Sequence, residues 1–198
     1  MQNYELLAKQ IRSNATHILK SKKIEQHLKE IGQLFYTGSY AMDLMTWNDI
    51  DMQLVLKDGV DPKDALGDFF LQISKDPDFV EAQMIDFKGD YKPKMPRGVY
   101  LGFRLNLEKW GGLWKLDLWV LSKQDFDANR SLIEILMKKI DPSTRSFLLM
   151  LKHEMMSGNE RVPQMGSHLL YQAVLLKGIR DREGLFEFFN EHNIAFKK

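Results

Sequence analysis

The sequence contains no cysteine, which excludes disulfides and thiolate metal sites. It has no excess of either charge: 28 Lys and Arg stand against 27 Asp and Glu, a formal net charge of +1. Proteins that live on nonspecific nucleic-acid contacts carry a basic excess, so the balance argues against that class and leaves only a local basic patch open. No stretch approaches the roughly 20 apolar residues of a membrane span. The start, MQNYELLAKQIRS, lacks the apolar run of a signal peptide. A soluble, cytoplasmic protein with no membrane partner is the expectation. Internal repeats and low-complexity tracts are missing too. The five histidines, His17, His27, His153, His168 and His192, show no metal-ligand spacing.

What is present is a chain of 198 residues with 44% apolar content, enough for one large domain or a small domain with a helical extension. Leu6, Leu7, Ile11, Ile18, Leu19, Ile24, Leu28 and Ile31 recur at near-helical spacing, which predicts helices over 3–31, divided at Ser13-Asn14 or Ser21. Leu34–Thr37 reads as a short strand, Tyr40–Met45 as a short helix and Asp49–Leu56 as a second strand. Asp61-Pro62 starts a helix that runs to about Lys75. Phe79–Phe87 and Val99–Leu107 alternate as strands, and the KWGG run at 109–112 turns into a strand through Asp117. Beyond Gln124 no strand pattern returns, and three or four helices follow, with Asp141-Pro142 and Asp181 at two of their starts. The order gives a mixed α/β (α+β) domain over 1–124, with its N-terminal helices, and a helical domain over 125–198.

One stretch carries the chemistry: YTGSYAMDLMTWNDIDMQLVL, Tyr36 to Leu56. It opens on Gly38-Ser39 and closes on an apolar strand interrupted by Asp49 and Asp51. Strand alternation puts Asp49, Asp51, Gln53 and Val55 on one face and Ile50, Met52, Leu54 and Leu56 on the core face. Carboxylates one pleat apart, about 6–7 Å along a strand, repel each other when half-buried, and a divalent cation between them turns that repulsion into a site. An Asp-x-Asp pair is also a common pattern of plain surface acids. Gly38-Ser39 has a local reading as well, a tight turn followed by a helix that Ser39 caps. An EF-hand is excluded, because Leu54 stands where that loop requires glycine.

Nine residues separate Ser39 from Asp49, giving G-S-x9-D-h-D-h, and LWKLDLWVL later supplies Asp117 between Leu116 and Leu118. This pattern resembles the signature of the nucleotidyltransferase superfamily that includes DNA polymerase beta: hG[GS], nine to thirteen residues, Dh[DE]h, then a third carboxylate in an h[DE]h strand. Thr37 stands where that signature has an apolar residue. The resemblance implies a nucleotidyltransferase-like mixed β-sheet with helices on one side and a helical C-terminal domain. It implies that Gly38 and Ser39 bind a nucleoside triphosphate and that Asp49, Asp51 and Asp117 hold two Mg2+ ions and catalyse. The reaction would move a nucleoside monophosphate to an acceptor hydroxyl and release pyrophosphate. Near-neutral charge and a small second domain favour a small-molecule acceptor such as an antibiotic. A tRNA or protein acceptor is the next reading, and a nucleotide- or partner-binding module without turnover is a third.

Other residues have two readings each. Asp117 shares its strand face with Lys115 and Trp119, so an ion pair with Lys115 or Arg104 is its structural alternative. Arg104, Arg145, Lys152, Arg161 and Lys177 are candidates to neutralise a triphosphate, against the default of solvated surface charges. Lys88, Lys92, Lys94 and Arg97 form a basic loop within 88–98. Trp47 either stacks on a base or packs on the short helix. The eleven methionines, Met150, Met155 and Met156 among them, read as core fill.

Overall fold

A computed structural model describes residues 4–87, 96–156 and 167–192. The chain begins with α1 (Tyr4–Ser21) and α2 (Ile24–Ile31). Ala8, Ile11, Ala15, Ile18 and Leu19 are the buried stripe of α1, the three-and-four spacing of a one-sided helix. The break falls after Ser21, where Lys23 turns left-handed (φ 56°) and Lys22 reaches Asp76 and Asp78 at 2.7 and 2.6 Å. Next come β1 (Gly32–Tyr36), α3 (Gly38–Ala41), β2 (Asp49–Leu56), α4 (Pro62–Ile73), β3 (Phe79–Phe87) and β4 (Gly98–Leu107). A 3-10 turn at Glu108–Trp110 leads through Gly111 and Gly112, both at positive φ, into β5 (Gly112–Leu121).

The five strands form one mixed sheet in the order β1-β2-β5-β4-β3. β2 and β5 run parallel at its centre, and the remaining pairs are antiparallel. Ile50, Met52 and Leu54 of β2, Leu101, Phe103 and Leu105 of β4, and Trp114, Leu116 and Leu118 of β5 are buried together with residues of α1, α2 and α4. These residues alternate along their strands, so the sheet has one fully apolar face. The opposite face carries the polar half of each strand, and Phe126 reaches it by an edge-to-face contact with Phe35 at 5.8 Å.

Among the described residues four helices follow, where the pattern predicts three or four: α5 (Lys123–Met137), α6 (Pro142–Met156), α7 (Ser167–Tyr171), which continues into a π turn over Gln172–Leu176, and α8 (Arg182–Glu191). The starts of α5, α6 and α8 are capped by side chains that satisfy otherwise unpaired backbone N–H groups, Ser122 serving α5. Asp141 accepts from the Thr144 N–H at 2.7 Å and Asp181 from the Gly184 N–H at 2.8 Å. Asp61 does the same for α4. A second apolar cluster gathers Leu148, Leu149, Leu151, Tyr171, Leu185 and Phe189, with Ala8 of α1 and Met42 and Leu44 from the segment after α3. The α3 segment therefore lies where the sheet meets the helices. Among the described residues, no helix is long and apolar enough to cross a membrane.

Candidate active site

Parallel pairing of β2 with β5 sets Asp51 beside Asp117 and Asp49 beside Lys115. Asp49 and Asp51 already share a face, so the register brings three carboxylates to one point of the polar face. One oxygen from each lies within 4.8 Å of the others, and all three residues are half-buried. Burial and the neighbouring charges of Asp49 and Asp117 push the Asp51 carboxyl up to about 7, although Lys115 and Lys152 pull it down. A cluster that retains a proton near neutral pH has a deficit of positive charge. Three hard oxygen donors this close together suit Mg2+ or Mn2+, so the residues present fit the cations the pattern implies.

Gly38 is what lets Asp51 reach that point. Its φ is +58°, and a Cβ there would collide with the Asp51 carboxylate oxygen Oδ2. Both properties require glycine. The main chain alongside is pinned by the Thr37 N–H donating to the Asp51 carbonyl at 2.9 Å. Two expectations for this segment need correction. The helix is not Tyr40–Met45 but Gly38–Ala41, because Asp43 takes a left-handed conformation (φ 56°) that ends it. Nor does Ser39 cap it: the cap position is Thr37, which makes no side-chain cap bond.

The Ser39 hydroxyl turns instead to the helical layer. Lys152 of α6 donates to Ser39 Oγ at 2.6 Å, to the Leu44 carbonyl at 2.6 Å and to the Tyr171 hydroxyl at 3.0 Å. Tyr171 and Ser39 are themselves 3.1 Å apart, and the Lys152 ammonium stands 4.3 Å over the Trp47 ring. Lys152 is 1% exposed, so it is not the solvated surface charge its type suggests. A buried ammonium needs its three donors satisfied and a counter-charge nearby; Ser39, Leu44 and Tyr171 provide the first and the carboxylate cluster the second. Trp47 packs on this ammonium.

Asp117 is held from both sides. Tyr100 of β4 donates its hydroxyl to Oδ1 at 2.7 Å, and Lys115 contacts Oδ2. Lys115 also stands 3.9 Å from Asp49 Oδ1. Burial alone would lower the Lys115 ammonium, but the charges of Asp49, Asp117 and Asp51 outweigh it and raise it. Burial and then Asp117 raise the Tyr100 hydroxyl well above its ordinary value. Gly102, which pairs with Asp117 across the sheet, is bare so that the Tyr100 ring can lie over it. Trp119 and Phe87 continue this wall, with ring centres 5.0 Å from Tyr100 to Trp119 and 5.1 Å from Phe87 to Trp119.

The structure thus brings together Gly38, Ser39, Asp49, Asp51 and Asp117 with Lys115 and Lys152, both named from the sequence, and adds Tyr100 and Tyr171. The ion-pair reading of Asp117 holds for Lys115 and fails for Arg104, which pairs with Glu81. Arg145 is engaged away from the carboxylates, with Asp43 at 3.1 Å and Glu5 at 3.6 Å, and Lys177 is exposed. Arg161, Lys88, Lys92 and Lys94, and the Met155 and Met156 side chains, lie outside the described residues. Strand alternation puts Tyr100 and Gly102 on one face of β4. That this is the Asp117 face follows only once β4–β5 register is known. For Tyr171 no sequence signal exists.

No protein-family model matches the chain, and a search of curated proteins finds no match. Solved structures do match. Cid1 poly(U) polymerase with MgGTP bound superposes with a TM-score of 0.61 at 15% identity, covering 89% of this chain and 53% of that one. Cid1 in complex with its short product ApU gives 0.57 at 12% identity, over 88% and 54%. The chain spans about half the length of these structures. At such identity the likeness is one of fold, a nucleotidyltransferase-like mixed α/β fold.

Proposed function

From that fold and the three converging carboxylates, we propose that the chain is an Mg2+-dependent nucleotidyltransferase. The observation that carries the reading is the meeting of Asp49, Asp51 and Asp117 within 4.8 Å beside Gly38. Asp49 and Asp51 would hold the cation that accompanies a nucleoside triphosphate, and all three acids a second. Bound there, such ions offset the charge on the phosphates and lower the pKa of an acceptor hydroxyl.

The chain's own residues do the rest. The backbone at Gly38-Ser39 lies against Asp51, so a triphosphate bound to the acids meets the start of α3. Lys152 and Tyr171 lock Ser39 against the helical layer, which keeps that backbone rigid relative to the acids. Tyr100 fixes the direction of Asp117 through Oδ1. Asp117 then aligns the acceptor hydroxyl and takes its proton at a carboxylate oxygen. The acceptor oxygen forms its bond to the α-phosphorus, the bond from that phosphorus to the bridging oxygen breaks, and pyrophosphate leaves with the electron pair.

The acceptor proposed is a small hydroxyl compound, supported by the net charge of +1. An RNA acceptor is the second reading, favoured by the likeness to Cid1, whose structure with ApU shares the fold. Both are tested by incubating the protein with Mg2+ and each α-labelled nucleoside triphosphate, with aminoglycosides, lincosamides or short RNA as acceptors. Label transferred to an acceptor with pyrophosphate release is expected. Binding of triphosphate with no release under any condition would leave a nucleotide-binding module instead.

A further inference from the structure

Lys115 has its ammonium inside the carboxylate cluster. It touches Asp117 Oδ2 and stands 3.9 Å from Asp49 Oδ1, while the three acids lie within 4.8 Å of one another. The ammonium therefore sits on carboxylate oxygens that a bound divalent cation would use. An ammonium and a divalent cation there would repel strongly across a half-buried site.

The two lysines of the site differ in how they are held. Lys152 is 1% exposed, with three neutral acceptors around its head. The Lys115 side chain is 34% exposed, on β5 near its start, and its ammonium faces the acids themselves. A flexible four-carbon stem with an open side can swing its head out to water. Arg104, opposite Lys115 on β4, is tied to Glu81 and does not take its place.

We propose that Lys115 is a built-in counter-cation: its ammonium neutralises Asp49 and Asp117 while no divalent ion is bound, and ion binding displaces it. The inference rests on the metal-site reading above. Its consequence is a trade between two properties. Lys115 stabilises the metal-free fold by relieving repulsion among the acids, and it weakens divalent-ion affinity by competing for the same oxygens. A plain structural ion pair predicts the reverse sign for affinity, since losing it would disorder the acids.

The test is direct titration of Mn2+ alone, read by the electron paramagnetic resonance of free Mn2+. It compares wild type, Lys115→Met, Lys115→Arg and Asp51→Asn. Lys115→Met retains the stem and removes the charge. It should melt below wild type without metal and bind Mn2+ at least about tenfold tighter, the scale of losing one nearby like charge. Lys115→Arg, which retains the charge, should bind no tighter than wild type. Unchanged or weaker Mn2+ binding by a folded Lys115→Met, with Asp51→Asn still abolishing it, would overturn the counter-cation and leave the metal site standing. If Lys115→Met is unfolded without metal, tighter binding by Lys115→Arg than by wild type overturns the proposal, and refolding of Lys115→Met on Mn2+ supports it. No Mn2+ binding by wild type or by Lys115→Met would overturn both readings.

Discussion

Replacing Gly38 by alanine perturbs the site through a single methyl group. At φ +58° an alanine sits in the left-handed region, which costs about 1–2 kcal/mol. The added Cβ would also overlap Asp51 Oδ2. The Thr37–Asp51 backbone hydrogen bond at 2.9 Å holds the two main chains together, so the carboxylate has to rotate away. The expected result is a modest loss of stability with a larger loss of function. Urea unfolding should show a deficit of about 1–2 kcal/mol without metal. Added Mn2+ should stabilise the variant far less than wild type, because binding to the folded state alone sets that gain. Turnover in a pyrophosphate-release assay should fall about a hundredfold, the scale of misplacing a reacting group by an ångström. A variant with the wild-type Mn2+ stabilisation and the wild-type rate would refute the argument that Gly38 exists to admit Asp51.

Other predictions concern the acids and the buried lysine. Asp51 has its carboxyl raised to about 7 from an unfolded value of 3.8, so the folded state holds this proton more tightly than the unfolded one. Its stabilising contribution is full below about pH 4 and is lost as pH rises through about 7, up to about 4 kcal/mol for three units. Metal-free wild type should therefore lose stability in urea between about pH 4 and 7, and Asp51→Asn should show a flatter profile. Asp117→Asn should retain most affinity for Mg2+–nucleoside triphosphate while turnover falls by about two orders of magnitude. Fluorescence titration and pyrophosphate release measure the two quantities separately. Lys152→Met should cost about 2–4 kcal/mol by stranding buried acceptors around a lost charged donor, measured by urea unfolding.

The strands were legible because their residues alternate. Asp49–Leu56 and Phe79–Phe87 appear at their expected ends, and Val99–Leu107 begins one residue earlier, at Gly98. Asp61, Asp141 and Asp181 announced their helices because short acidic side chains satisfy the first N–H groups of a helix locally. The triad was legible through the spacing of Gly38-Ser39, Asp49, Asp51 and Asp117. The short helix was misplaced because its end depends on a left-handed Asp43, a conformation no residue type near it demands. Lys152 reads by default as a surface charge, because lysine seldom lies buried without partners. Its partners are Ser39, Leu44 and Tyr171, and they stand 113, 108 and 19 residues away. A side chain reaching back across the chain leaves no trace in local pattern. Tyr100 was hidden for a related reason, since its role depends on the β4–β5 register that sets Gly102 against Asp117.

Asp49, Asp51 and Asp117 are proposed to hold the divalent cations that serve a nucleoside triphosphate. The most direct measurement is anomalous diffraction at the manganese edge, from crystals grown with Mn2+ and a non-hydrolysable nucleoside triphosphate analogue. The account predicts anomalous density at about 2.0–2.3 Å from oxygens of Asp49 and Asp51, with the triphosphate against Gly38-Ser39 and the Lys115 ammonium turned away from Asp117. Ordered analogue elsewhere on the molecule, with no manganese at the three acids and Lys115 still on Asp117, would contradict it.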